Sequence, residues 1–155
     1  TDVEERQKLI EARIAGVGIS TATAEAGKNI FVQNCAMCHQ VKGEGGLVGP
    51  QLDGIGNWGV KALTEKILDP NRNISQAFRT YNITLQNGKL MSGLYRRTEG
   101  EVIVYADPSG KEFSVAKNDI KENKLSQYTL MPDQFRNTIK EEDFYALMKY
   151  LLSVK

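Results

Sequence analysis

The chain has 155 residues, 41% hydrophobic and 25% charged, with 20 Lys and Arg against 19 Asp and Glu. That is a globular composition with room for a full core. A formal charge of +1 provides no basic face for nucleic acid, and no apolar run approaches the roughly 20 residues of a membrane span.

The amino terminus, Thr1-Asp2-Val3-Glu4-Glu5-Arg6, lacks the basic start and apolar middle of a signal peptide. Residues 3–14 place Val3, Leu9, Ile10 and Ile14 among charged neighbours, the spacing of a short amphipathic helix. Gly16, Gly18, Ser20 and Thr21 interrupt it, so residues 1–22 read as a leading helix and linker, with the domain proper over 23–155. Thr23 is placed to cap a helix over Ala24–Val32, in which Gly27, Ile30, Phe31 and Asn34 share a face.

That helix delivers the chain into Cys35-Ala36-Met37-Cys38-His39, a C-x-x-C-H haem-attachment motif built from the chain's two cysteines and single histidine. Two thiols at this spacing add across the two vinyl groups of one haem, and the adjacent imidazole falls beneath the iron. A structural zinc site needs four ligands, and these residues supply at most three. A thioredoxin-like dithiol follows a strand, whereas this motif follows a helical pattern. Two propionates would carry the holoprotein to the acidic side of neutral. Thioether attachment takes place outside the cytoplasm. The expectation is therefore a periplasmic or otherwise exported protein whose signal was removed, or a piece of a longer exported chain.

Residues 40–52 form a glycine-rich excursion with neither helix nor strand period, able to pass close to a flat ligand. An iron-bound imidazole needs an acceptor for its other ring N–H, and this loop follows it directly. No Gly-Lys-Ser/Thr follows the glycines, which sets a phosphate cradle aside. Trp58 either closes over a haem edge or is an ordinary core residue. Residues 60–68 read as a helix stopped by Asp69-Pro70, and Arg72 in the following turn either reaches a haem propionate or is solvated.

From Arg79 the period changes to two. Tyr81, Ile83 and Leu85 alternate with polar neighbours, Asn87-Gly88 is a hairpin signal, and further strands follow over 90–95, 101–105 and 112–116. This predicts an antiparallel meander over about residues 79–117 inside a mainly α protein. Residues 126–132 read as an irregular loop, where Pro132 disfavours helical geometry for Met131 and holds it extended. Thr138, ahead of Ile139-Lys140-Glu141, is a helix-start signal, and Phe144, Leu147, Met148, Leu151 and Leu152 form an apolar stripe.

The pattern Gly27-x-x-x-Phe31-x-x-x-Cys35-x-x-Cys38-His39 and the ending Asp143 to Leu151 resemble the first and last helices of the class I cytochrome c family. In that family the two helices cross at the glycine beside aromatic residues, which Phe31 and Tyr150 match, with Leu147 alongside. Gly49-Pro50-Gln51-Leu52 matches its Gly-Pro-x-Leu element, implying that the Pro50 carbonyl accepts the His39 ring proton. Ile67-Leu68-Asp69-Pro70, Tyr81 to Gly93, Asp119-Ile120 and Leu130-Met131-Pro132 narrow the resemblance, over about residues 25–153, to the haem-binding domain family typical of Planctomycetes and Verrucomicrobia.

The resemblance implies a cytochrome c fold with the meander inserted before a distal methionine loop, and one covalent haem c held by Cys35 and Cys38. His39 and Met131 would be the axial ligands, and Gly49, Pro50, Leu52, Trp58, Arg72 and Leu130 would surround the haem. A thioether ligand favours the reduced iron. The implied role is single-electron transfer, from a fused or docked dehydrogenase to another cytochrome or an oxidase. With no triad, paired carboxylates or second histidine in view, the chain is not expected to be an enzyme in itself. Two alternatives stay open: a haem sensor or enzyme with an open or labile distal site, and an interaction module that docks a partner on the meander edge.

Overall fold

The computed structural model describes residues 2–155, with 43% helix and 27% strand. The expectation of a mainly α protein therefore gives way to a mixed architecture, because the inserted sheet is larger than the foreseen meander. The chain forms two compact units, Thr1–Arg72 with Asp133–Lys155, and Asn73–Pro132.

In the helical unit, α1 spans Asp2–Ile19, running through most of the stretch read as a linker. Glycine inside a helix costs about 1 kcal/mol relative to alanine, and packing offsets it here. Gly16 lies against the Tyr145 phenol so closely that any side chain would collide with it, and Ile10 and Val17 of the same helix are buried. The Arg13 guanidinium stands 5.2 Å from the centroid of the Phe144 ring, a cation–π contact.

Helix α2 spans Ala24–Asn34, with the Ala26 N–H donating to Thr23 Oγ1 at 3.2 Å as its cap. A two-residue hairpin, β1 (Gln40–Val41) and β2 (Glu44–Gly45), follows in the loop that showed no period. After a single 3-10 turn over Ile55–Trp58 comes α3, Gly59–Leu68, which buries Leu63, Ile67 and Leu68. At its end Asp69 accepts from Arg6 at 3.0 Å and from Arg72 at 2.9 Å, tying α1 to the turn after α3.

A short α4 covers Phe135–Thr138, and α5 covers Glu141–Ser153. Thr138 thus ends one helix instead of capping the next. Lys140 precedes α5 without a side-chain cap, and Glu141, Glu142 and Asp143 place negative charge at its N-terminus, where the helix dipole favours it. Helices α2 and α5 cross at Gly27, whose backbone lies directly on the Ala146 carbonyl, and the Phe31 and Tyr150 rings meet at 5.4 Å. Phe144, Leu147, Met148 and Leu151 are buried, and Leu152 is half-buried.

The second unit is a five-stranded antiparallel sheet ordered β6-β5-β4-β3-β7. Its strands are β3 (Arg79–Leu85), β4 (Leu90–Glu99), β5 (Val102–Ala106), β6 (Glu112–Ala116) and β7 (Ile120–Thr129). The meander was expected to end near 117, but β7 continues it and returns to pair with β3, with Tyr81 opposite Leu125 and Ile83 opposite Asn123. As an edge strand β7 exposes Lys121, Glu122, Asn123 and Lys124, a charged and polar run that blunts pairing with another chain and hides the strand's period. One face packs Ile83, Tyr105 and Val115, with Tyr81, Met91 and Phe113 against them. Tyr105 stacks on Phe113 at 5.6 Å, and a carbon added at Gly93 would lie 2.8 Å from the Tyr105 Cβ.

Gly27→Val drives a branched side chain into the α5 backbone, and chemical denaturation followed by circular dichroism is expected to show a loss of about 3 kcal/mol. A second expectation concerns alkaline pH. Burial raises the Tyr105 phenol above its ordinary 10, with the Asn123 amide donating to its oxygen and partly opposing the rise. The native state then keeps a proton that the unfolded chain would release, so this contribution is intact below pH 10 and is lost as pH rises through the raised native value. Stability measured above pH 10 is expected to fall less steeply in Tyr105→Phe than in the wild type.

Candidate haem site

The last turn of α2 sets the motif in place. The Cys35 N–H donates to Phe31 O at 2.7 Å, and the His39 N–H to Cys35 O at 2.9 Å, so the five residues turn tightly off the helix end. Cys35 and Cys38 are thiols, not a disulfide, and both are half-buried. Burial, with the neighbouring Cys38 adding to it, pushes the Cys35 thiol up to about 12, so it stays protonated at neutral pH.

His39 Nδ1 lies 2.7 Å from Pro50 O. A carbonyl only accepts, so Nδ1 carries the proton, and in the neutral ring Nε2 keeps its lone pair. Burial lowers the His39 pKa below 6.5, more than the Pro50 bond raises it, so the ring is neutral at pH 7. The loop that supplies Pro50 is pinned on both sides, by the Gly49 N–H on Cys38 O at 2.7 Å and the Leu52 N–H on Gln40 O at 2.8 Å. A carbon added at Gly49 would stand 2.7 Å from Cε1 and 2.9 Å from Nδ1 of His39. Only glycine lets the backbone run this close to the ring. Gly46, whose N–H donates to Ala36 O at 2.8 Å, lies equally tight against the Met37 carbonyl.

The remaining expected residues are more dispersed. Leu52 is half-buried next to the Pro50 segment. Trp58 is 58% exposed at the end of its 3-10 turn, which removes the core reading for it. The Arg72 guanidinium is not simply solvated. It donates to Asp69 at 2.9 Å and Gln7 at 2.8 Å, with Glu65 at 3.5 Å, as part of the tie between α1 and α3. Leu130 and Met131 are half-buried in the bend after β7 and belong to the sheet unit. Sequence reasoning passed over Asp53, whose Oδ1 accepts the Lys42 N–H at 2.6 Å. Its signal, an acidic residue just after the Gly-Pro-x-Leu element, carries no chemistry until the fold brings it to Lys42.

Two cysteines at attachment spacing, an imidazole with its tautomer set, and a glycine-lined loop against the ring are the donor set and cradle that a covalent haem requires. Among the described residues no group of three or more His, Cys, Asp or Glu is arranged to hold a metal ion, so the site offers one imidazole and no closed zinc shell. Among the described residues, also, no helix is long and apolar enough to cross a membrane.

Residues 24–96 match the family model for Cytochrome c, a stretch that begins with α2 and ends within β4. No curated protein matches the chain. The family match supports a class I c-type cytochrome with a haem-based electron-transfer role, and it brings with it covalently bound haem c and its iron, one group for one domain.

Gly49→Leu is expected to displace the His39 ring from Pro50. Nitrogen NMR of the ring would then show the Nδ1–H losing its hydrogen-bonded shift and exchanging faster with water, while a wild-type spectrum in the variant would contradict the packing described above.

Proposed function

We propose that the protein is a monohaem electron carrier that works outside the cytoplasm, accepting single electrons from a fused or docked dehydrogenase and passing them to another cytochrome or an oxidase. The observation that carries this reading is the 2.7 Å bond between His39 Nδ1 and Pro50 O, which fixes the imidazole as a neutral donor through Nε2. When bound, the haem supplies a one-electron iron couple. Cys35 and Cys38 anchor it through thioethers, His39 supplies the proximal lone pair, and Met131 supplies the distal thioether. Gly49, Pro50, Leu52, Trp58 and Leu130 are the residues proposed to line it. Arg72 stays in that proposed set, and its guanidinium also donates to Asp69 and Gln7 within the helical unit.

The case for Met131 rests on the four methionines compared with one another. Met148 is fully buried on α5, Met91 packs against the sheet core, and Met37 lies between the two attachment cysteines with 59% of its surface exposed. Met131 stands in an irregular bend, half-buried, with Pro132 holding it out of helical geometry. The five-stranded unit set in sequence between Pro70 and the Met131-Pro132 pair supports placing the chain with the haem-binding domains typical of Planctomycetes and Verrucomicrobia. With a single histidine in the sequence, no distal histidine is available for peroxide chemistry.

Carbon monoxide tests the assignment. The reduced wild type is expected to stay low-spin and resist carbon monoxide on mixing, while Met131→Ala becomes high-spin or binds the gas at once. Immediate binding by the wild type, unaltered in the variant, would overturn Met131 as ligand and favour the sensor or enzyme with an open distal site.

A further inference from the structure

We infer that Asp53 is a positioning residue for the His39 imidazole, acting through the Pro50 carbonyl, an inference that rests on the haem reading proposed above. Segment 49–53 is strapped along segment 38–42 at successive positions. The Gly49 N–H donates to Cys38 O at 2.7 Å, His39 Nδ1–H to Pro50 O at 2.7 Å, the Leu52 N–H to Gln40 O at 2.8 Å and the Lys42 N–H to Asp53 Oδ1 at 2.6 Å. The first and third of these are bonds between backbone groups, and the second involves the ligand itself. Only the last depends on a side chain that is not a ligand.

Both ends of that last bond are arranged for it. Lys42 and Gly43 form the two-residue turn of the β1–β2 hairpin, with φ of 51° and 81°. Glycine and asparagine take this left-handed geometry readily and lysine does not. The N–H of the first turn residue has no acceptor within such a turn, and the Asp53 carboxylate supplies one. On the other side the Asp53 N–H donates to Gln51 Oε1 at 2.9 Å, which ties the Gln51 side chain, directly after Pro50, to the Asp53 backbone. Asp53 therefore closes the far end of the strap whose middle carries the Pro50 carbonyl.

An imidazole that donates its Nδ1 proton to a fixed acceptor is a more basic metal ligand through Nε2. Releasing the strap at Asp53 lets Pro50 O drift from Nδ1, weakens His39 as a donor and favours the reduced state. The experiment uses the full chain with its haem attached. Asp53→Ala is expected to speed exchange of the His39 Nδ1 proton about tenfold and to raise the reduced-to-oxidised ratio against a fixed mediator about threefold, roughly 30 mV at 59 mV per decade for one electron. Asp53→Asn keeps an Oδ1 acceptor and is expected to restore both values.

Unchanged exchange and potential in Asp53→Ala would overturn the inference. So would equal shifts in the alanine and asparagine variants, which would make the effect one of charge. If Asp53→Ala fails to fold, Gln51→Ala loosens the same segment, and smaller changes in the same direction support the inference while wild-type values overturn it. With haem attached and the variants silent, only the role of Asp53 falls. Purified protein without covalent haem overturns this inference and the electron-carrier reading together.

Discussion

The hydrogen bond from His39 Nδ1 to Pro50 O is the interaction on which the haem site depends. It decides which ring nitrogen carries the proton, and so which one is left to bind a metal. It also requires a backbone carbonyl to lie within 2.7 Å of a ring at the start of the same loop, which is sterically possible only because Gly49 has no side chain. The flanking backbone bonds at Gly49 and Leu52 hold the carbonyl in register, so the loop arrives as a preformed bracket. A ligand held by its fold in this way needs little rearrangement when charge at the metal changes, the property an electron carrier requires.

Behind the site the helical unit is built on close backbone approach. Gly27 on α2 lets the α5 backbone lie directly against it, and Gly16 on α1 does the same for Tyr145. Because α2 leads straight into Cys35, the crossing at Gly27 also fixes where the motif begins. Helix α1 belongs to this packing. Its Arg13 covers Phe144, and its Arg6 and Gln7 are joined to Asp69 and Arg72. Arg72, attractive in sequence as a partner for an acidic group, also takes part in that network.

What the sequence makes readable follows from how local the physics is. The Thr23 cap and the alternation around Tyr81 and Ile83 are local patterns, and each appears where the residues predict it. The length of α1 was not readable, because Gly16 and Gly18 signal a break and only the Tyr145 ring on a distant helix explains why one of them continues the helix. Strand β7 was hidden for the opposite reason. An edge strand is paired along one side only, and its Lys-Glu-Asn-Lys run carries almost no apolar alternation. The cap expected at Thr138 failed because a short helix ends there, and three acidic residues in the first turn of α5 take over at its start. Asp53 stayed invisible since the partner of its carboxylate is a backbone N–H eleven residues earlier.

The central claim is that His39 meets the iron through Nε2 with its Nδ1 proton held by Pro50. Nitrogen NMR of the selectively labelled histidine in the reduced, diamagnetic holoprotein tests it most directly. A single slowly exchanging proton on Nδ1, with Nε2 unprotonated and strongly shifted by coordination, is the predicted result. A proton on Nε2, or a ring that titrates freely through its ordinary range, would contradict the account.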